Sequence, residues 1–203
     1  MKRVLDVWLA GVALSVTAPL MVVIGFLTRF TLGGEIYWGQ RRIGLCEQPF
    51  TIWKFRTMRE ILDSSGRPLP DHCRLTSTGR WLRGMSFDEL PQLWNVLKGD
   101  MSLVGPRPLL PEYLPRYSPL QRRRHEAKPG ITGWAQVNGR NSLTWEQKFE
   151  LDVWYVDHQS LWLDVKILWL TVLQVLRRDG ISQQGYATMP EFMGSPAESR
   201  RDA

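Results

Sequence analysis

Residues 4–30 are almost wholly apolar, broken by Asp6, Pro19 and Arg29. No other feature constrains the fold as strongly, because so long a run must meet lipid or protein core along its whole length. As a straight helix, roughly 27 residues reach about 40 Å, enough to cross a bilayer. Pro19 sits near the middle and removes one backbone hydrogen bond. The part before it is about 15 residues, or roughly 22 Å, which is too short to cross. Lys2 and Arg3 precede the run, and Arg29, Arg41 and Arg42 follow it. The positive-inside rule then puts both ends on the cytoplasmic side. A bent, re-entrant helix satisfies both observations, with the backbone groups freed at Pro19 met by Ser15 or Thr17. A plain spanning helix with a proline kink is the competing reading. The basic start resembles a signal peptide, but the run continues without an A-x-A cleavage site, so the segment is expected to be retained.

The remainder has the composition of a folded domain. Of 203 residues, 43% are apolar and 23% charged, enough for one compact unit with its own core. The net charge of +6 calls for an anionic partner: a membrane surface, a nucleotide or a nucleic acid. No recognised nucleic-acid motif accompanies the charge, which argues against the last. Ten tryptophans favour a membrane interface, where one edge of the indole is apolar and the other wet. Cys46 and Cys73 lack metal-type spacing and suit a reducing cytoplasm. His72, His125 and His158 are scattered, and no glycine-rich phosphate loop is found.

Weak alternation predicts a short hairpin within 35–58, and residues 60–78 read as a long polar loop. Residues 88–98 and 144–158 are expected to be helical, and 99–111 and 129–142 to be Gly/Pro-rich loops. Residues 161–178 are apolar with Asp164, Lys166, Thr171 and Gln174 interspersed. That pattern fits an amphipathic helix lying on a membrane, with a buried core helix as the alternative. The tail beyond Gly194 has a disordered composition.

Three stretches carry chemistry. In Ser86-Phe87-Asp88-Glu89-Leu90-Pro91-Gln92, Ser86 and Glu89 have capping-box spacing. A helix that starts at Asp88 instead keeps Pro91 in the first turn, where its missing N–H is harmless. Either register sets two adjacent carboxylates at the positive end of a helix, which is expected to keep them ionised. One can attack phosphorus and the other can hold Mg²⁺; a simple helix cap would look the same. In the run Lys98 to Pro108, Pro106 and Pro108 stiffen the chain around Arg107, whose guanidinium suits phosphate oxygens. Lys54, Arg56, Arg80 and Arg83 form a third group of cations, suited to a diphosphate or to snorkelling at lipid. The run Arg122-Arg123-Arg124-His125 reads as a membrane-facing or solvated surface.

Taken together, four stretches resemble the bacterial sugar transferase family, the small monotopic phosphoglycosyl transferases. They are Lys54-Phe55-Arg56-Thr57-Met58, Asp88-Glu89-Leu90-Pro91-Gln92-Leu93, Lys98 to Pro108, and Lys128 to Asn141. The likeness runs from Lys2 to about Gly180. It implies that Asp88 is a nucleophile forming a covalent phospho-sugar with release of UMP, and that Glu89 coordinates Mg²⁺. It implies phosphate handling for Lys54, Arg83 and Arg107. The family's re-entrant helix breaks at a Ser-Pro pair, whereas here the pair is Ala18-Pro19. The chain resembles the short form that begins directly at the membrane helix.

The expectation is therefore an α+β, mainly helical, monotopic membrane protein with an N-terminal re-entrant helix and interfacial amphipathic helices. Residues 1–30 form the anchor, 31–194 the cytoplasmic catalytic domain and 195–203 a disordered tail. The expected partners are a UDP-sugar donor, a polyprenyl (undecaprenyl) phosphate acceptor and the lipid bilayer at the cytoplasmic face of a bacterial inner membrane, with Mg²⁺ as cofactor and no nucleic acid. Whether the chain forms a homodimer stays open. Two other functions fit the same residues: a metal-dependent glycosyl transferase that releases UDP, and a non-enzymatic membrane adaptor using Arg122–Arg124.

Overall fold

The computed structural model describes residues 1–139, 142–177 and 191–194. Helix α1 runs from Lys2 to Leu32 with Pro19 inside it. It is the one described helix long and apolar enough to cross a membrane. A hairpin follows, β1 (Tyr37–Ile43) and β2 (Pro49–Phe55), paired antiparallel from Tyr37↔Phe55 to Ile43↔Pro49. Next come α2 (Asp71–Arg74), α3 (Ser77–Gly84), a 3-10 turn at Phe87–Glu89 and α4 (Gln92–Lys98). Strands β3 (Ser102–Val104) and β4 (Gly130–Thr132) pair in parallel and flank the short helix α5 (Pro119–Arg122). The described chain ends with α6 (Trp134–Val137), α7 (Trp145–Asp157), α8 (Leu161–Arg177) and residues 191–194. The protein is thus α+β and mainly helical.

The hairpin and the 144–158 helix form as expected. Several loops are more structured than their composition suggested. The 60–78 stretch holds α2 and two isolated bridges, Met58↔Leu75 and Leu62↔Pro68, and α3 begins at Ser77. The loops at 99–111 and 129–142 contain β3, β4 and α6, because each supplies the pairing partner the other lacks. The expected helix over 88–98 is split. Pro91 has no N–H to continue the 3-10 turn, so α4 starts at Gln92 with Pro91 as its N-cap. The expected tail, 195–203, lies outside the described residues.

One stripe of α1 packs on the rest of the chain. Asp6, Ala10, Ile24, Gly25 and Thr28 are buried at helical spacing. Ala10, with Ala13 and Leu14 beside it, joins Ile52, Leu93, Val96 and Met101 in one core cluster. Past Pro19, Ile24 joins Phe55 and Leu82 in a second. Polar bonds tie the N-terminal end down. Lys2 Nζ donates to Asp164 Oδ2 (2.6 Å) and to the Val104 carbonyl (3.1 Å), and Tyr155 Oη donates to Asp164 Oδ1 (2.6 Å). Asp6 accepts from Ser102 Oγ and the Leu103 N–H. Both ends of α1 therefore contact the same folded body.

The hydroxyls near Pro19 do something other than expected. Ser15 Oγ donates to the Gly11 carbonyl and Thr17 Oγ1 to the Ala13 carbonyl. Each bonds one turn back, a habit that bends helices, and neither serves the Ser15 carbonyl that Pro19 leaves without its usual donor. Opposite the packed stripe, Val4, Trp8, Val16, Val23, Phe26 and Phe30 are exposed. Helix α8 shows both faces considered for it. Leu163 and Ile167 are buried, while Trp162 (78% exposed), Val165, Trp169 (63%) and Val172 form an outward apolar stripe.

Candidate active site

Strand β2, helix α3, the 3-10 turn and the loop after β3 converge on one cleft of about 910 Å³. Lys54, Arg83, Asp88, Glu89 and Arg107, the five residues singled out in the sequence, all line it. Close backbone packing brings them there. A Cβ on Gly79 would lie 2.0 Å from the Thr57 carbonyl oxygen, so only glycine lets α3 approach the end of β2 this closely. Four residues on, Arg83 Nε donates to Thr57 Oγ1 at 3.0 Å. Ser86 then adopts the left-handed region (φ 57, ψ 20), rare for a residue with a Cβ, and turns the chain into Phe87–Glu89. Because of that reversal the Ser86 side chain makes no capping bond, and the capping box does not form.

Arg107 is fixed by tertiary bonds as well as by its two prolines. The Gly105 N–H donates to the Thr132 carbonyl and the Gly130 N–H to the Pro106 carbonyl. Arg124 Nη2 donates to the Arg107 carbonyl at 2.7 Å. Arg124 is itself buried (2% exposed) and paired with Asp152 at 2.7 Å, against the Tyr117 and Phe149 rings. This corrects the expectation of a solvated or membrane-facing basic run. Arg122 and Arg123 bridge outward to Glu47 and Asp157, but Arg124 and His125 point into the body. Burial, reinforced by the neighbouring Arg124 charge, pushes the His125 pKa down to about 4 and keeps it neutral.

The two adjacent carboxylates meet different environments. Glu89 Oε1 accepts from Lys54 Nζ and Arg107 Nη2, each at 2.6 Å. Burial opposes its charge, but Arg107 and then Lys54 outweigh that and hold the carboxyl well below the usual range. Asp88 is buried (8% exposed) and takes no hydrogen bond or ion pair among the described residues. Burial and then the Glu89 charge raise its pKa, against the pull of Lys54, Arg83 and Arg107. The charged form is thus favoured at Glu89 by its two cations and opposed at Asp88 by burial, rather than set alike for both by a helix N-terminus. A single 3-10 turn offers little dipole to offset burial.

The cleft also includes residues the motifs did not flag: Arg42, Tyr113, Trp145 and Lys148. Lys148 is lowered to about 8 by burial and then by Arg107. In the sequence Arg42 stands only as a flanking charge of the apolar run. Its position on β1 becomes significant once the hairpin register carries that strand past Arg107.

A model of the bacterial sugar transferase family matches residues 1–178, which includes every element of this cleft except residues 191–194. The chain belongs to that family. The transferase is 55% identical to an uncharacterized sugar transferase, EpsL, of Bacillus subtilis, over 96% of each chain. It is 40% identical to the undecaprenyl-phosphate galactose phosphotransferase of Salmonella typhimurium, over 89% of this chain and 41% of that one. It is 37% identical to the exopolysaccharide production protein ExoY of Sinorhizobium fredii, over 84% and 83%. The transferase thus spans nearly all of EpsL but about two fifths of the Salmonella protein.

Proposed function

We propose that the transferase moves a sugar 1-phosphate from a UDP-sugar to a polyprenyl phosphate in two steps through Asp88. The observation that carries this reading is the split between the two carboxylates. Glu89 is clamped by two cations, whereas Asp88 beside it is buried with its oxygens uncommitted. Adjacent groups pushed to different ionisation behaviour are the mark of divided catalytic roles. In the first step an Asp88 Oδ attacks the β-phosphorus. The bond from that phosphorus to the bridging oxygen breaks, and UMP leaves with the electron pair. In the second, a phosphate oxygen of the polyprenyl phosphate attacks the same phosphorus, freeing Asp88 and forming a polyprenyl diphosphate-sugar. Arg83, Arg107 and Lys54 stabilise the phosphate charge in both steps. Relatives that are an undecaprenyl-phosphate galactose phosphotransferase and a UDP-glucose:undecaprenyl-phosphate glucose-1-phosphate transferase support this substrate class.

Mg²⁺ fits the donor set here. It needs only one or two carboxylates beside substrate phosphates and water, and Glu89 Oε2 takes no bond among the described residues. Glu89 would hold the ion, which would neutralise diphosphate charge. We further place the transferase at the cytoplasmic face of the inner membrane, with α1 re-entrant and α8 interfacial. Contacts of Lys2, Arg3 and Asp6 at one end of α1 and of Ile24 and Thr28 at the other support this. A span would carry one end away from the catalytic body.

The test is incubation with UDP-glucose or UDP-galactose and Mg²⁺ without lipid acceptor. Intact mass should show one phospho-sugar per chain, mapped to Asp88, with UMP released in proportion to enzyme. Asp88→Asn should abolish both. Release of UDP would mean that the sugar alone moved, and the reading fails.

A further inference from the structure

Most cations of the cleft are matched with a carboxylate: Lys54 and Arg107 with Glu89, and Arg124 with Asp152. Two guanidinium groups are not. Among the described residues, neither Arg83 nor Arg42 has a carboxylate within ion-pair distance. Arg83 sits beside Asp88 and bonds Thr57. Arg42 bonds only neutral acceptors, the Pro108 carbonyl at 3.4 Å and Gln40 Oε1 at 2.5 Å. Its Nε is buried with no acceptor among the described residues. Burial and then the Arg107 charge bring its pKa down to about 10, so it is still charged at neutral pH while repelled by its neighbour. A half-buried cation beside a like charge, with a donor unmet, is unfavourable unless an anion completes it.

We propose that Arg42 binds the second phosphate of the donor, the one that departs with the nucleoside, while Arg83 and Arg107 hold the phosphate that Asp88 attacks. The assignment rests on the phosphoryl-transfer reading above. Arg107 interacts electrostatically with both Asp88 and Arg42, and Arg42 bonds the carbonyl of Pro108, the next residue in the chain. An aromatic wall favours the nucleotide over the lipid acceptor as the source of this phosphate. Tyr113 packs edge to face with Trp145 at 5.6 Å, and both line the cleft with Arg42. Such rings stack bases without needing a particular one.

The experiment measures binding of UMP, uridine and a detergent-solubilised polyprenyl phosphate to the full chain by calorimetry, with no donor sugar present. Arg42→Gln should weaken UMP binding by roughly tenfold to a hundredfold, the effect of one charge-assisted contact. Uridine and polyprenyl phosphate binding should stay within about twofold of the parent. Arg42→Lys keeps the charge but loses the fork, so it should fall between, and it decides the matter if the glutamine variant melts early. UMP binding equal to the parent in both variants overturns the proposal. So does a loss confined to polyprenyl phosphate, which would make Arg42 the acceptor's seat. If the parent binds neither UMP nor uridine, the nucleotide-sugar reading itself fails, and the proposal with it.

Discussion

Asp88 and Glu89 are neighbours in the chain, yet packing gives them opposite electrostatics. Glu89 sits between Lys54 and Arg107, and Asp88 is buried beside the resulting negative charge. A carboxylate attacks only when ionised, so the first-step rate should fall as pH drops through the raised Asp88 pKa. The acid limb of a single-turnover pH profile should therefore lie above pH ~4, the ordinary aspartate value. Glu89→Gln removes a charge that raises that pKa and frees two cations that lower it. The limb of the residual activity should move to lower pH, and an unmoved or rising limb would show that Asp88 does not set it. Arg83→Ala and Arg107→Ala each delete a charged contact that the proposed function gives to phosphate. Each should slow turnover by about one to two decades while the fold holds, read from kcat and a thermal melt.

At the scale of elements, α1 is bound to the catalytic body by polar bonds as well as by apolar packing. Asp164 on α8 accepts from Lys2 on α1 and from Tyr155 on α7, so three helices meet at one carboxylate. Burial and then the Asp164 contact raise the Tyr155 pKa, which keeps its hydroxyl a donor at any ordinary pH. Asp164→Asn leaves Lys2 without its counter-charge in a half-buried site. The expected loss is about 1–3 kcal/mol, seen in detergent as a melting temperature lower by roughly 2–10 °C. An unchanged melt would mean that the Lys2–Asp164 contact does not help to dock α1. The same bonds reach the Val104 carbonyl, three residues before Arg107, so α1 and the Arg107 loop share one support.

For the whole molecule, α1 and α8 carry long exposed apolar stripes, with Trp8, Phe30, Trp162 and Trp169 outward. Such a surface suits lipid. Because both ends of α1 contact the body that holds the cleft, single cysteines at positions 2 and 35 should both resist labelling from outside intact cells. Cys46 and Cys73, exposed and unpaired, are replaced first. Labelling of either end from outside would mean that α1 spans. Pro19→Leu restores the missing backbone donor and should shift the chain toward such a span, with position 2 gaining outside labelling.

Local rules made much of this protein legible. The apolar run, the hairpin at 37–55, the helix at 145–157 and the Asp88–Glu89 and Arg107 motifs each follow from side-chain chemistry at short spacing, while the choice of Lys54 and Arg83 among the upstream cations came from the family resemblance. What local rules could not reach are features that need two distant segments at once. The loop compositions of 99–111 and 129–142 gave no sign of strands, because β3 and β4 exist only as each other's partner. Arg124 looked like one of three surface arginines until Asp152, 28 residues away, buried it. Arg42 looked like a topogenic charge until the hairpin carried it to Arg107. The helix-end rule treats the two carboxylates alike, since it counts only the local dipole. The difference between Asp88 and Glu89 comes from burial and from Lys54 and Arg107, 35 and 18 residues from Glu89, and such terms exist only once the chain has folded.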